Sequence, residues 1–164
     1  MMRIGQSRDT HRLKPGKWLK IGGLDISSPV ETIAHSDGDC LLHAIAEALL
    51  GALALGDLGT HFPDTDPTHR NLDSGRMLDT VYRMVKQAGY ALVNLDSTVH
   101  LEKPKLAPKI DVMRKRVASI LEVPVSRVSI KATTGEGLGP IGRGEAVVCD
   151  AVVLLERKKG DTHD

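Results

Sequence analysis

Aromatic side chains are scarce in this chain: Trp18, Phe62, Tyr82 and Tyr90 are the only four among 164 residues. Base-stacking platforms need more than that, so a role resting on stacked nucleotides of a single strand is excluded. Charge of one sign is not in excess either. The net charge is +1, and the basic run Arg157-Lys158-Lys159 near the C-terminus is short. Such a balance leaves no electrostatic footprint for nucleic acid or an anionic membrane. Cysteine is limited to Cys40 and Cys149, whose separation fits neither a zinc finger nor a redox pair. Two buried thiols in a reducing compartment are expected, not a disulfide. No apolar run has the length of a membrane span or of a secretory leader. These absences predict a cytoplasmic protein.

What is present is ordinary for a globular chain, with 41% apolar and 26% charged residues. The length predicts one domain over residues 1–160, with 161–164 as a disordered tail. Met2 to Ser7 should be a short strand leading to Asp9-Thr10-His11, and Trp18 to Ile26 a small hairpin turning at Gly22-Gly23. Leu41, Leu42, Ile45, Leu49, Leu50 and Leu53 mark a helix from Asp37-Gly38 to about Gly56. Ser74 is the expected N-cap of a second helix through Met77, Leu78, Val81, Met84 and Val85, which stops at Gly89. Val93, Leu95, Val99 and Leu101 then alternate with polar residues as a strand does, and a third helix fits between Pro108 and Pro124. Arg127 to Ala132 and Ala146 to Leu155 complete the set as strands.

The order β-α-α-β-α-β-β predicts an α+β fold, with a four-stranded mixed sheet carrying its helices on one face plus a small hairpin. A ferredoxin-like or chorismate-mutase-like arrangement would satisfy it. Val147, Val148, Cys149, Val152, Val153, Leu154 and Leu155 make the last strand apolar on both faces, where a sheet open to water should alternate. Other copies of the chain are the simplest cover, which predicts a homo-oligomer.

Asp9 and His11, two apart on a strand, project to one side. On the first helix Asp39, His43 and Glu47 recur every four residues, a polar stripe on an otherwise apolar cylinder. Burying such a stripe without partners costs several kcal/mol, so each member needs one. Two histidines and an aspartate make a zinc ligand set with a fourth position open, although iron(II) or manganese would accept the same donors. Between the last two strands lies a glycine-rich loop from Thr133 to Glu145, with Lys131 and Arg143 as cations and Glu136 placed to help hold a second ion. It opens no helix in this reading, which separates it from the nucleotide fingerprints built on a helix N-terminus. His35 to Asp39 lies at a helix N-terminus, with Asp37 as a plain N-cap.

Taken in order, several segments match one known pattern: Asp9-x-His11-Arg12-Leu13, Ala34-His35-Ser36-Asp37-Gly38-Asp39, Leu42-His43-Ala44, Phe62-Pro63-Asp64-Thr65-Asp66-Pro67, Lys131-Ala132-Thr133-Thr134 and Gly142-Arg143-Gly144-Glu145. From Arg3 to about Leu155 the chain resembles the 2-C-methyl-D-erythritol 2,4-cyclodiphosphate synthase family of the non-mevalonate isoprenoid pathway. The resemblance implies a homotrimer with the sheets facing the trimer axis and the active sites between subunits. It implies zinc on Asp9, His11 and His43, and magnesium or manganese near Glu136 with the diphosphate. His35 and Thr134 fall at positions that the family uses to stabilise the transition state. Ser36, Asp57, Gly59, Phe62, Asp64 and Asp66 would surround the methylerythritol and phosphates. Leu101, Pro104, Lys105, Leu106, Ala107 and Thr133 would hold the cytidine end, with Arg143 a further anion contact.

The chemistry implied is attack by the substrate's own 2-phosphate on the β-phosphorus, expelling cytidine monophosphate. Positioning and charge neutralisation then suffice, without a nucleophilic triad. The alternatives are a zinc-dependent phosphoesterase and a non-enzymatic trimer that binds nucleotide or isoprenoid diphosphate. Ser7-Arg8, Glu47, Gly135 and Pro140-Ile141 depart from the family's usual residues, and none of these is a metal ligand.

Overall fold

Strand-forming sequence continues past the stretch expected from periodicity. In the computed structural model, which describes residues 1–63, 65 and 72–158, the first strand β1 covers Met2–Pro15. Asp9 and His11 therefore sit within a strand and not in a turn after it. The extra length recruits a partner that the sequence did not disclose, the short strand β4 (Val30–Ile33), which pairs with Arg12–Pro15. All four of its residues are partly or fully exposed, so no alternation marks it as a strand.

The hairpin is as expected, with β2 (Trp18–Ile21) and β3 (Leu24–Ser27) forming a separate two-stranded sheet. Gly22 and Gly23 both take positive φ, +61° and +75°, which is the turn that matches the twist of a tight hairpin. With β5 (Tyr90–His100), β6 (Val128–Thr133) and β7 (Ala146–Arg157), the main sheet has five strands in the order β4-β1-β7-β5-β6. The expected four-stranded sheet is corrected to five by β4. It is mixed, because β5 and β6 are parallel neighbours while the other pairs are antiparallel. That order departs from the β-α-β-β-α-β pattern of the ferredoxin-like alternative.

A register shift between Leu92 and Asn94 changes the phase of β5. Leu92, not Val93, consequently joins the core beside Leu95, Val99 and Leu101. A bulge of this kind breaks strict alternation, which is why the sequence pattern named the wrong residue.

The helix α1 (Cys40–Ala52) lies on β1 and β7, and only His43, Glu47 and Gly51 escape full burial along it. Outside it packs α3 (Ser74–Gln87), whose N-cap is Asp73, with Ser74 already in the first turn. A 3-10 turn at Ala107–Lys109 leads into α4 (Ile110–Ile120), which covers β6. Two single turns, α2 (Leu58–His61) and α5 (Gly139–Gly142), and a second 3-10 turn at Val125–Arg127 complete the helices of the described residues. The α5 turn lies inside the glycine-rich loop, which joins β6 to β7 as expected.

Helix α1 approaches β1 closely because Gly5 has no side chain. A Cβ built there would lie 1.9 Å from the Ala48 carbonyl oxygen and 2.8 Å from the Ala52 nitrogen. Both are backbone atoms, so the helix must move to admit a methyl group. Gly5→Ala should therefore destabilise the fold by about 1–3 kcal/mol, read as a lowered thermal unfolding midpoint. An unchanged midpoint would mean that this contact is looser than described.

The other face of the sheet carries no helix of the described residues. Ile4, Leu154 and Asn94 form one row across it, and Arg8, Asp150, Thr98 and Lys131 another. Ile4 is 70% and Val152 40% exposed. Arg8 grips Asp150 through two hydrogen bonds of 2.7 and 2.9 Å, and the same carboxylate lies 2.9 Å from His100 Nε2. The second face of β7 thus bears Val148, Val152 and Leu154 around one paired charge.

Candidate metal centre

The site begins with a buried aspartate that binds no metal. Asp39 caps α1 by accepting from the Leu42 N–H at 3.0 Å, and it also accepts from Gly22 and Gly23 at 3.0 and 2.7 Å. Burial pushes its carboxyl upward, while these three N–H groups favour the anion. One carboxylate thereby ties the hairpin turn to the start of α1 and fixes the helix's rotation about its axis. One turn later His43 faces β1. One turn beyond, Glu47 accepts from the Leu58 N–H at 2.9 Å and holds the start of α2. The polar stripe exists as expected, but its members have three separate partners. Asp37, expected as an N-cap, instead accepts from the Ser74 N–H and hydroxyl.

Asp9, His11 and His43 converge. Asp9 Oδ2 lies 3.0 Å from His11 Nδ1 and 3.5 Å from His43 Nδ1. The three ligand atoms fall within 4.8 Å of one another. Both imidazoles are 12% exposed, and the aspartate 29%. Asp9 Oδ2 and His11 Nδ1 are buried without hydrogen-bond geometry to any partner. Orphaned polar atoms are rare in folded proteins, and a pair aimed at one point suits a cation that completes both.

The electrostatics agree. Burial alone would lower the His11 pKa, yet the Asp9 carboxylate and the Cys40 thiol beside it push it up to about 10. Burial likewise opposes the Asp9 anion, but His11 and His43 hold its carboxyl well below the usual range. One carboxylate oxygen and two imidazole nitrogens fit zinc or another divalent transition metal.

A cavity of about 440 Å³ opens beside these ligands. His35, Ser36, Gly59 and Phe62 line it, as expected, together with Arg12 and Met77. Asp57 stands just outside as the N-cap of α2, accepting from the Thr60 N–H and hydroxyl. Asp64 and Asp66 lie outside the described residues.

A second cavity of about 400 Å³ gathers Leu101, Pro104, Lys105, Leu106, Ala107, Thr133 and Thr134. Most of the two stretches assigned to the nucleotide end, Leu101 to Ala107 and Thr133 to Glu136, therefore lines one hollow, with Lys103, Gly135 and Glu136 the exceptions. Glu136 and Arg143 do not line it. Glu136 accepts a hydrogen bond of 3.3 Å from the Thr134 hydroxyl at its rim, and Arg143 is paired with Glu145 at 2.9 and 3.0 Å. Glu102 does line it and accepts from the Gly135 N–H at 2.9 Å. Nothing local in the sequence marks that long-range contact.

The two cavities share no lining residue. Thr10, Val148, His100 and Thr133 are in register across four strands. Three strand spacings separate the ends of that row, about 14 Å. Metal ligands and Thr134 therefore stand towards opposite sides of the sheet, near the β4 and β6 edges.

Known proteins share this arrangement of sequence and fold. A 2-C-methyl-D-erythritol 2,4-cyclodiphosphate synthase of Shouchella clausii (strain KSM-K16) is 50% identical over 157 residues, which is 96% of this chain and 99% of the relative. A solved 2C-methyl-D-erythritol-2,4-cyclodiphosphate synthase superposes with a TM-score of 0.87 at 42% identity, over 94% of this chain and all (100%) of the other. A CDP-bound form of such a synthase superposes with a TM-score of 0.88 at 40% identity, over 94% of this chain and 100% of that one. The YgbB family matches residues 2–156, and with a match of that extent this chain belongs to the YgbB family.

Proposed function

We propose that this chain is the cyclase of the non-mevalonate isoprenoid pathway. It converts 4-diphosphocytidyl-2-C-methyl-D-erythritol 2-phosphate into 2-C-methyl-D-erythritol 2,4-cyclodiphosphate and CMP. The observation that carries this reading is the convergence of Asp9, His11 and His43 at the edge of a cavity large enough for a phosphorylated polyol. Relatives of nearly full length that bear this name support it.

An oxygen of the 2-phosphate forms a bond to the β-phosphorus, and the bond from that phosphorus to the oxygen of CMP breaks. Proton inventory is simple, because a phosphate oxygen needs no base to attack. A divalent ion on Asp9, His11 and His43 supplies Lewis-acid charge for the diphosphate. Everything else falls to alignment. His35 and Ser36 line the cavity and would offer hydrogen bonds to phosphate oxygens, while Gly59 and Phe62 would enclose the carbon skeleton. Leu101 to Ala107 form the floor for the cytidine end, and Thr133 and Thr134 present hydroxyls to the diphosphate. Glu136, at the rim, would help hold a magnesium or manganese ion with that diphosphate.

Assembly completes the site. A substrate phosphorus on the metal ligands of one chain is out of reach of that chain's own Thr134, because the neighbouring Thr10 and Thr133 stand three strand spacings, about 14 Å, apart. A cyclic homotrimer joins one edge of each sheet to the opposite edge of its neighbour, because a ring interface is heterologous. Three active sites then lie between subunits, with the uncovered sheet faces turned to the axis. No helix of the described residues is long and apolar enough to cross a membrane. A cytoplasmic location is part of this reading.

Product analysis tests it. Incubating the protein with the cytidine diphosphate substrate and Mg²⁺, followed by ³¹P NMR, should give cyclic diphosphate and CMP in equal amounts. Open-chain phosphates as the product, or no turnover, would overturn the assignment.

A further inference from the structure

Behind His43, on the side away from Asp9, runs a polar chain that the reaction does not use. His43 Nε2 lies 2.9 Å from Ser74 Oγ, and the Ser74 hydroxyl in turn meets Asp37. Ser74 is fully buried as the first residue of α3. Asp37 also accepts from the Ser74 N–H at 2.9 Å and the Asp39 N–H at 3.2 Å. Ser36 Oγ stands at a long 3.4 Å from the same histidine nitrogen and already accepts from the Gly38 N–H at 3.2 Å.

The directions of these bonds are forced. A carboxylate only accepts, so the Ser74 proton points at Asp37. The lone pairs of Ser74 then face His43, so Nε2 carries a proton and donates it. In a neutral imidazole the other nitrogen must hold a free lone pair, and that nitrogen, Nδ1, is the one 3.5 Å from Asp9 Oδ2. The chain thus selects the tautomer able to bind a cation and sets the tilt of the ring.

We propose that Ser74, backed by Asp37, is a positioning residue for the metal centre, fixing His43 as an Nδ1 ligand through an Asp37–Ser74–His43 relay. This rests on reading Asp9, His11 and His43 as metal ligands. Outer partners of ligating histidines typically contribute 10–100-fold to metal affinity. The relay joins the loop before α1 to the first turn of α3.

Zinc affinity of the full chain, measured by competition with a chromophoric chelator, tests the proposal. Ser74→Ala should bind zinc about 10–100-fold more weakly than the unaltered chain. Asp73→Ala serves as the control, because it removes the α3 N-cap, which accepts from the Arg76 N–H, without touching His43. It should leave affinity unchanged. An equal loss in both variants, or none in Ser74→Ala, would overturn the relay. A second measurement needs no substitution: ¹⁵N NMR of the zinc-loaded chain should show His43 bound through Nδ1 with the proton on Nε2. Zinc on Nε2 would overturn the relay while leaving the metal site standing. Failure of the unaltered chain to bind zinc would overturn the metal-site reading itself.

Discussion

Replacing His43 by alanine is expected to lower turnover by about a thousandfold or more while leaving the fold in place. The reasoning starts from the metal-free site. Asp9 and His11 are side by side and mostly buried, and the histidine compensates the aspartate by taking up a proton. Removing His43 costs the metal-free fold its packing, its bond to Ser74 and its contact with Asp9, while Asp9 and His11 stay paired. With zinc present the roles change, because two ligands hold the ion far less well than three. In the unaltered chain, zinc at a hundredfold excess over its Kd should add about 2.7 kcal/mol to stability. In His43→Ala that increment should vanish. Thermal unfolding with and without zinc, run beside an activity assay, separates the two effects. A variant that loses activity yet is still stabilised by zinc like the unaltered chain would show that His43 is not a ligand.

The second large effect concerns assembly. His43→Ala and Thr134→Ala chains, each nearly inactive alone, should regain about a quarter of full activity when mixed in equal amounts and allowed to form trimers. In the proposed trimer each site draws its metal ligands from one chain and its Thr134 from the next. Random assembly gives the correct pairing at one position in four, about 25%. The separation of Thr10 from Thr133 by three strand intervals carries this argument. Were one chain able to supply both parts, a site would always contain the lesion of its own chain. Mixing would then yield no more than the separate variants, and the inter-subunit site would be refuted.

Much of this was legible before any coordinates. Period two put Asp9 and His11 on one face whether the strand ended at Ser7 or, as it does, at Pro15. The four-residue stripe on α1 brought His43 to the same side, and helical geometry tolerates an error of a residue or two at the helix ends. Local periodicity could not disclose contacts between distant segments. The sequence offers Asp37 as the cap and Asp39 as part of the stripe, whereas Asp39 is the cap, and only their distant partners, Ser74 for one and the Gly22-Gly23 turn for the other, separate their roles. Strand β4 escaped notice because neither of its faces is buried, so its residues show no pattern. Val93 was misplaced by the shift in β5, where one residue out of register exchanges the faces. The residues of the second cavity came from resemblance and not from physics, since nothing in Leu101 to Ala107 advertises a hollow.

The departure at Arg8 lies on the sheet face opposite to the metal ligands, whereas Pro140 lines a hollow with Thr10 and Arg12. Arg8 finds its partner in Asp150 on the uncovered sheet face, with His100 on the same carboxylate. A solvent-exposed pair of this kind contributes little to stability. Its position among Ile4, Val152 and Leu154 makes that face partly apolar and partly charged.

At the centre of the account is the claim that a phosphate of the substrate, held by alignment alone, is the nucleophile. Running the reaction in ¹⁸O-labelled water and weighing the products by mass spectrometry addresses it directly. The cyclic diphosphate and the CMP should both emerge without label. Label in either product would mean that water attacks, and the protein would then be a hydrolase built on the same three ligands.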